Sequence, residues 1–432
     1  MKYSDVLDFL YSSLPMYQRI GKAAYKADLS TSISLDNYFG NPHRCFRTIH
    51  VAGTNGKGSV SHMLASVLQA EGYTTGLYTS PHLLDFRERI RVNGKMIGRN
   101  DVIDFVVDNK DVIKELKTSF FEMTVAMAFQ YFKQQEVDIA VIETGMGGRL
   151  DSTNIVMPEI SVITNIGLDH TQYLGNTLAK IALEKAGIIK DKVPVVIGES
   201  DPETAPVFIE KAREHDSAIF FADKNFSLEL PGGESNHYRQ VFNVYKGKKP
   251  FMQKLHTDMT GNYQEMNIIT VLQVAELLIA GNTLDKDSLR RGLRNVKQDT
   301  GLSGRWMMVR QSPLVICDPA HNYAGLKIVT EQLVRLQKDK LHIVLGMVND
   351  KDADTILGLF PEDAEYYFTR ASIPRAMDQN TLKEAASGYS LSGNTYASVA
   401  KAYGAALQAA GQNDVIFIGG STFVVADFLK TL

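Results

Sequence analysis

The sequence predicts an α/β protein of two domains, the first larger and built on a mainly parallel sheet. Three observations carry this. Short runs rich in Val and Ile alternate with helical stretches for most of the chain, the pattern of a parallel sheet covered on both faces. A polar, hairpin-like interval breaks the alternation at 224–262, and a fresh strand–helix series opens near 298. At 432 residues the chain exceeds what one core ordinarily serves, and 44% apolar residues can supply two.

In order, "RTIHVA" (47–52) reads as a strand leading into "GTNGKGS" and a helix near 59–71. "GLYTSPHL" holds another short strand-like run. "VDIAVIE" (137–143), "EISVITNI" (159–166), "VPVVIG" (193–198) and "AIFFA" (218–222) continue the series. The 224–262 interval reads as antiparallel, and "NYQEMNIITVLQVAELLIAG" after it as a long helix. "QDTGLSGRW" (298–306), polar with two glycines, reads as the linker between domains 1–297 and 298–432. Beyond it, "PLVICD" (313–318), "LHIVLGMV" (341–348), "AEYYFTRA" and "DVIFIGGS" (414–421) alternate with helices. No internal repeat or low-complexity tract is present.

A formal charge of −3 gives no electrostatic footprint for nucleic acid. The cysteines, Cys45 and Cys317, lie far apart, which suits neither a disulfide framework nor a thiolate metal site and fits a reducing compartment. The N-terminal stretch lacks a signal-peptide core, and no apolar run reaches the roughly 20 residues that span a bilayer. A cytoplasmic protein with no membrane contact is expected.

Chemistry concentrates at "HVAGTNGKGS". Glycines free backbone N–H groups, and the helix that follows aims its N-terminus at the same place, so the loop forms an anion nest. Lys57 can reach terminal phosphates, and Ser59 stands where the helix begins. Strand, loop and helix in that order outweigh the plainer reading of a βα turn with a solvated lysine. In open parallel sheets ligands gather outside the strand carboxyl ends. Glu143, the Asp169–His170 pair and Ser80 all follow strand-like runs, so carboxylate, imidazole and hydroxyl can converge beside the phosphates, where Mg²⁺ takes few protein ligands. Lys185 in "LEKAGIIK", Arg305 in the linker, and Asp318 and His321 after "LVICD" read equally as solvated side chains or as site residues on spacing alone.

Together "HVAGTNGKGSV", "GLYTSPHL", "ERIRVNG", "FFEMTVAMAF", "ETGMGGRLDSTN", "ITNIGLDHTQYLGNTLAKIALEKAGIIK" and "DPAHN" resemble the folylpolyglutamate synthase/dihydrofolate synthase family of the Mur ligase superfamily. The matches run in family order from about residue 45 to the C-terminus. The Gly-Lys-Gly-Ser loop sets them apart from the peptidoglycan ligases, whose loops usually read Gly-Lys-Thr. The resemblance implies a large N-terminal P-loop domain, a smaller Rossmann-like C-terminal α/β domain, and an active site between them. It implies an ATP-dependent ligase joining L-glutamate to dihydropteroate and/or to reduced folates through an acyl phosphate, acting on small molecules as a monomer.

Carried over by position, Gly53, Thr54, Asn55, Gly56, Lys57, Gly58 and Ser59 would hold the ATP phosphates. Ser80, Glu143 and His170 would serve two magnesium sites, and Lys185 matches the lysine that the family carbamylates into a further magnesium ligand. Lys57, Glu143, His170 and Lys185 would thus be the catalytic set. Asn262, Gln264 and Asn267 would lie near the nucleotide, with Arg305, Asp318 and His321 reaching it from the C-terminal side. His82, Phe121 and Glu122 would line the pterin or substrate site. Three positions depart from the family pattern: Tyr263 where His is common, Ser303 where Pro often precedes "GR", and Pro319 where Gly is common. Rival readings are a cell-wall-precursor ligase, a P-loop kinase needing no glutamate, and a nucleotide sensor without chemistry.

Overall fold

Val, Ile and Ala leave both faces of a strand apolar, and such strands can be buried only inside a covered sheet. In the computed structural model, which describes residues 2–15, 28–232, 235, 238–349 and 353–432, this holds for β1 (Arg47–Ala52), β5 (Ile139–Glu143), β6 (Ile160–Ile163) and β7 (Val195–Ile197). With β2 (Thr75–Tyr78), β3 (Ile90–Val92), β4 (Lys95–Met96) and β8 (Ile219–Phe221) they form one sheet in the order β4-β3-β2-β5-β1-β6-β7-β8. From β2 to β8 every pairing is parallel; β3, within "ERIRVNG", and β4, just after it, add an antiparallel edge.

Contacts group Met1–Glu234, Val241–Asp258 and Glu265–Gly301 into one unit, and Ser235–Gln240, Met259–Gln264 and Leu302–Leu432 into a second. Relative to the division at 297/298 read from sequence, the second unit starts at Leu302 and takes in two short upstream segments. The first three residues of the expected linker are helical, in Val296–Thr300, which ends where Gly301 turns left-handed at φ 68°.

In the first unit, one apolar cluster packs Leu10, Phe46, Phe86, Phe129, Phe132 and Ile142, and a second packs Ile163, Ile188, Val195 and Phe208. The helix Lys57–Glu71 is buried on all sides from Ser59 to Leu68, as expected of a helix covered beyond the sheet as well. Its outer cover is the helix Lys286–Arg294, whose Gly292 lies so close that a Cβ would meet Val67 Cα at 2.4 Å. The 224–262 interval contains β9 (Phe226–Glu229), β10 (Gln240–Lys246) and β11 (Lys249–Thr257), ordered β11-β10-β9 with β9 and β10 antiparallel; residues 233–234 and 236–237 of it lie outside the described residues. The long helix spans Gln264–Ala280.

The second unit holds β12 (Met307–Gln311), β13 (Leu314–Asp318), β14 (Leu341–Leu345), β15 (Glu365–Phe368), β16 (Gly393–Thr395) and β17 (Val415–Gly419), ordered β12-β13-β17-β14-β15-β16. Only β12 is antiparallel. Its core joins Ile316, Leu326, Val329, Ile343, Tyr366 and Phe417. Among the described residues, no helix is long and apolar enough to cross a membrane.

Candidate active site

Strand order decides where the first unit can bind a ligand. β1 lies between β5 and β6, with the chain running to β2 on one side and to β7 and β8 on the other. The loop leaving β1 therefore opens at a topological switch point, between the carboxyl ends of its neighbours. That loop is residues 53–56. Gly53 and Gly56 adopt φ 149° and 82°, and Gly56 caps the helix that starts at Lys57. The first amides of this helix have no acceptor within it, so Lys57, Gly58 and buried Ser59 present the anion-binding end.

Both glycines are also required by space. A Cβ at Gly53 would sit 1.8 Å from Thr164 Oγ1, and one at Gly56 would sit 2.1 Å from Asn267 Oδ1. Asn267 thus abuts the loop. Gly53→Ala is expected to cost about 1–3 kcal/mol in backbone strain alone and to weaken ADP binding. Urea unfolding and titration calorimetry check the two effects.

The backbone N–H groups of Thr54 and Asn55 are spent within the fold. The Thr54 N–H donates to the Asn165 carbonyl (2.9 Å) and the Asn55 N–H to Asn165 Oδ1 (2.9 Å). Thr54 Oγ1 donates to the Gly167 carbonyl and accepts the Gly167 N–H, while Thr164 Oγ1 donates to the Asn55 carbonyl. Those amides clamp the loop to the segment after β6; they do not face the nest.

Two lysines converge on the loop. Lys57 Nζ donates to the carbonyls of Gly53 (3.1 Å) and Thr54 (3.2 Å), and Lys185 Nζ donates to the same Gly53 carbonyl at 2.7 Å. Lys185 sits in the last turn of the helix Leu178–Ala186 and is 3% exposed. Burial, then the Lys57 charge, holds its ammonium well below the usual lysine range, while Asp169 and Asp151 pull the other way.

Glu143 closes β5 as expected, is buried, and its Oε2 accepts the Ser80 N–H at 3.0 Å. His170 is left-handed (φ 52°), and its N–H donates to Asp169 Oδ1. Among the described residues, no three His, Cys, Asp or Glu side chains cluster tightly enough to hold a metal. The donor set of one carboxylate, a hydroxyl and an imidazole still fits Mg²⁺, which binds through one or two carboxylates and completes its shell with water and phosphate.

Around His82, Arg89 Nε donates to His82 Nδ1 at 2.8 Å, which leaves the ring proton on Nε2, 3.3 Å from the Tyr11 hydroxyl. The Phe121 ring covers Gly145, where a Cβ would meet Phe121 Cζ at 2.4 Å. Glu122 caps its own helix, Phe120–Gln134: its carboxylate accepts the Ser119 N–H while Ser119 Oγ accepts the Glu122 N–H.

Sequence reasoning passed over Asp151. Its carboxylate accepts the N–H groups of Gly145, Met146 and Thr153 and the Thr153 hydroxyl. That hydroxyl in turn accepts from His50 Nε2, a neutral core histidine whose pKa burial pushes down to about 3. The chain His50–Thr153–Asp151 fixes the loop after β5. The visible signal was an aspartate two residues before a threonine, an Asx-turn pattern.

In the second unit Asp318 ends β13, 2% exposed. Its carboxylate accepts from the Tyr263 hydroxyl (2.6 Å), the Trp306 N–H (2.8 Å) and the Ala320 N–H (2.9 Å), with Arg305 adding charge attraction. Burial nonetheless raises its pKa. His321 Nδ1 lies 3.0 Å from the Pro319 carbonyl, the Asn262 N–H donates to Gln332 Oε1, and Gln264 is buried with its N–H on the Gly261 carbonyl. Tyr263→Phe is expected to destabilise the protein by about 1–3 kcal/mol, the cost of removing a donor from a buried acceptor; calorimetric unfolding measures it.

The Mur ligase middle domain model matches residues 51–275, and the Mur ligase, glutamate ligase domain model matches 304–422. The dihydrofolate synthase/folylpolyglutamate synthase of Bacillus subtilis is 32% identical across 100% of this chain and 99% of its own length. A probable bifunctional folylpolyglutamate synthase/dihydropteroate synthase of Haloferax volcanii is 32% identical over the whole of this chain, which spans 50% of that longer protein. The crystal structure of a Thermotoga maritima folylpolyglutamate synthase superposes with a TM-score of 0.82 at 33% identity, covering 100% of this chain and 96% of that one. The Yersinia pestis bifunctional folylpolyglutamate synthase/dihydrofolate synthase, complexed with AMPPNP and Mn ion, gives 0.84 at 27% identity, covering 100% and 98%. A glycine loop of unusual spacing at the switch point, with family models on both sides of the linker and a full-length relative at this identity, has one reading: the chain belongs to the folylpolyglutamate synthase/dihydrofolate synthase family of Mur ligases.

Proposed function

We propose that the protein is an ATP-dependent amide ligase that adds L-glutamate to dihydropteroate and to reduced folate (poly)glutamates. The observation that carries this is the convergence of Lys57 and buried Lys185 on one carbonyl of a glycine loop at the sheet's switch point. The names of the relatives and the nucleotide and metal ion in the Yersinia pestis structure support the same reading.

A carboxylate is a poor electrophile because its oxygen leaves badly. Transfer of the γ-phosphoryl group of ATP to that oxygen gives an acyl phosphate and ADP. The neutral amine of glutamate then attacks the carbonyl carbon, inorganic phosphate leaves, and the amine proton is lost to give the amide. The loop amides and Lys57 hold the phosphates and offset charge on the phosphoryl group in flight. Asn267 braces the loop at Gly56. Glu143, Ser80 and His170 would hold Mg²⁺, which would supply charge neutralisation for the phosphates. Burial disfavours the Lys185 ammonium, and its neutral form can add CO₂ through its lone pair and release a proton. The resulting carbamate would give the metal another oxygen donor. His82, Phe121 and Glu122 would line the pterin side, and Arg305, Asp318 and His321 the C-terminal nucleotide contacts, with Asp318 acting through Tyr263 and Trp306.

Neither Cys45 nor Cys317 is in a disulfide, which supports a reducing, cytoplasmic setting, and on family grounds we read the enzyme as a monomer; light scattering tests that. Purified protein with ATP, Mg²⁺ and L-glutamate, offered dihydropteroate or tetrahydrofolate separately, tests the function by mass spectrometry. Glutamyl addition to both is expected. Addition to tetrahydrofolate alone would restrict the enzyme to tail extension, and addition to neither would overturn the reading.

A further inference from the structure

The glycine loop is braced from outside its own motif by residues that no part of the reaction scheme uses. Gly198, just past β7, donates its N–H to the Ile163 carbonyl at 2.8 Å, and Glu199 donates its N–H to the Thr164 carbonyl at 3.0 Å. The approach is close: a Cβ at Gly198 would lie 2.3 Å from the Thr164 carbonyl oxygen and 2.4 Å from Thr270 Oγ1. Glycine there lets the chain run against the segment after β6 and delivers the Glu199 carboxylate to Asn165. Glu199 Oε1 accepts from Asn165 Nδ2 at 2.9 Å, and Asn165 Oδ1 accepts the Asn55 N–H at 2.9 Å.

The donor and acceptor inventory gives this chain a direction. A backbone N–H only donates, so Asn165 must turn its oxygen to Asn55. A carboxylate accepts, so Asn165 must turn its NH₂ to Glu199. Each end independently demands the same orientation of the amide. The bond also holds the carboxylate against burial, which pushes the Glu199 pKa up with help from Asp223, while the Asn165 contact pulls it back.

We propose that Asn165 and Glu199 are positioning residues that set the glycine loop for nucleotide binding, by drawing the Asn55 amide out of the anion nest and fixing the turn between Gly53 and Gly56. The inference rests on reading residues 53–59 as the phosphate loop. It touches neither the reacting atoms nor the metal.

A swap of the two functional groups tests it on the full chain, with Mg-ADP as the probe. Asn165→Asp keeps an acceptor for Asn55 but sets a carboxylate against Glu199. It is expected to weaken ADP binding about tenfold, equivalent to about 1.4 kcal/mol, and to speed hydrogen exchange at the Asn55 amide by a similar factor. Adding Glu199→Gln restores a donor to the pair, because the amide introduced at 199 can donate to the carboxylate introduced at 165. The double variant is expected to return within about threefold of wild type in both readouts, a coupling typical of directly bonded side chains. In steady state the KM for ATP moves and that for glutamate does not. ADP affinity within twofold of wild type in Asn165→Asp, or a double variant no better than the single, overturns the relay. Recovery of affinity without recovery of Asn55 protection also overturns it, since net charge alone would then explain the rescue. Wild-type protein that does not bind Mg-ADP removes the phosphate-loop reading, and this inference with it; a wild type that binds ADP but adds no glutamate leaves the relay result standing by itself.

Discussion

Lys57→Ala is expected to lower glutamate ligation by about 10²–10³-fold or more, the loss typical of removing one preorganised charge stabiliser, with little change in melting temperature. The two halves of that expectation come from different observations. Lys57 occupies the first position of its helix and spends its Nζ on two loop carbonyls, Gly53 and Thr54. It belongs to neither apolar cluster of the first unit, and the Gly53 carbonyl keeps its bond from Lys185 when the side chain is cut. For activity the residue has no substitute. The helix N-terminus attracts phosphate by its amides, but a full positive charge that can follow the moving phosphoryl group comes from Lys57. Lys185 cannot replace it, because that amine is buried against the Gly53 carbonyl and its ammonium is disfavoured there. The variant should retain part of its ADP affinity while single-turnover acyl phosphate formation collapses. Unchanged turnover would remove the phosphate-loop assignment.

The elements that position this site were legible because strands announce themselves. Buried parallel strands are mostly apolar, so Ile139–Glu143 and Leu314–Asp318 stood out as runs, and Arg47–Ala52 did despite buried Thr48 and His50; the residues closing two of them, Glu143 and Asp318, followed from the rule that ligands gather at strand carboxyl ends. The same rule applied once more, to "VPVVIGE", would have raised Glu199. What sequence could not give was the destination of each polar group. Thr54 and Asn55 belong to the motif, yet their amides are taken by Asn165, more than a hundred residues on. Asp318 shows a charged residue at the right strand end, yet three donors already surround its carboxylate. Such choices depend on loop conformations fixed by long-range hydrogen bonds, and periodicity carries no trace of them. Tyr263 is the instructive position. As a departure from the family pattern it suggested a change on the nucleotide side; in place, its hydroxyl is the shortest of the bonds to Asp318.

Lys185→Met is expected to remove activity to a similar extent as Lys57→Ala and, unlike it, to stabilise the protein. A buried lysine with one carbonyl acceptor is an expensive group to keep, and a similar-sized apolar side chain avoids the desolvation cost. The expected gain is about 1 kcal/mol or more, or roughly 2–4 °C in melting temperature for each kcal/mol in a domain of this size. The sign of its pH dependence follows from linkage. The folded-state pKa of Lys185 lies below the unfolded value of about 10.4, so between the two the unfolded chain binds more protons and wild-type stability rises with pH. The advantage of Lys185→Met should therefore be full below the depressed folded pKa and shrink as pH climbs toward the unfolded one. Carbamylation adds a second handle. CO₂ would be held by the folded amine and not by the unfolded chain, so bicarbonate should raise the wild-type melting temperature by mass action and leave that of Lys185→Met unmoved. A ¹³C carbamate resonance from labelled bicarbonate, present in wild type and absent in the variant, would identify the adduct directly. Wild-type activity and melting temperature that ignore bicarbonate would mean that Lys185 serves as the neutral partner of the Gly53 carbonyl, and that magnesium draws its oxygen donors from Glu143, Ser80, phosphate and water.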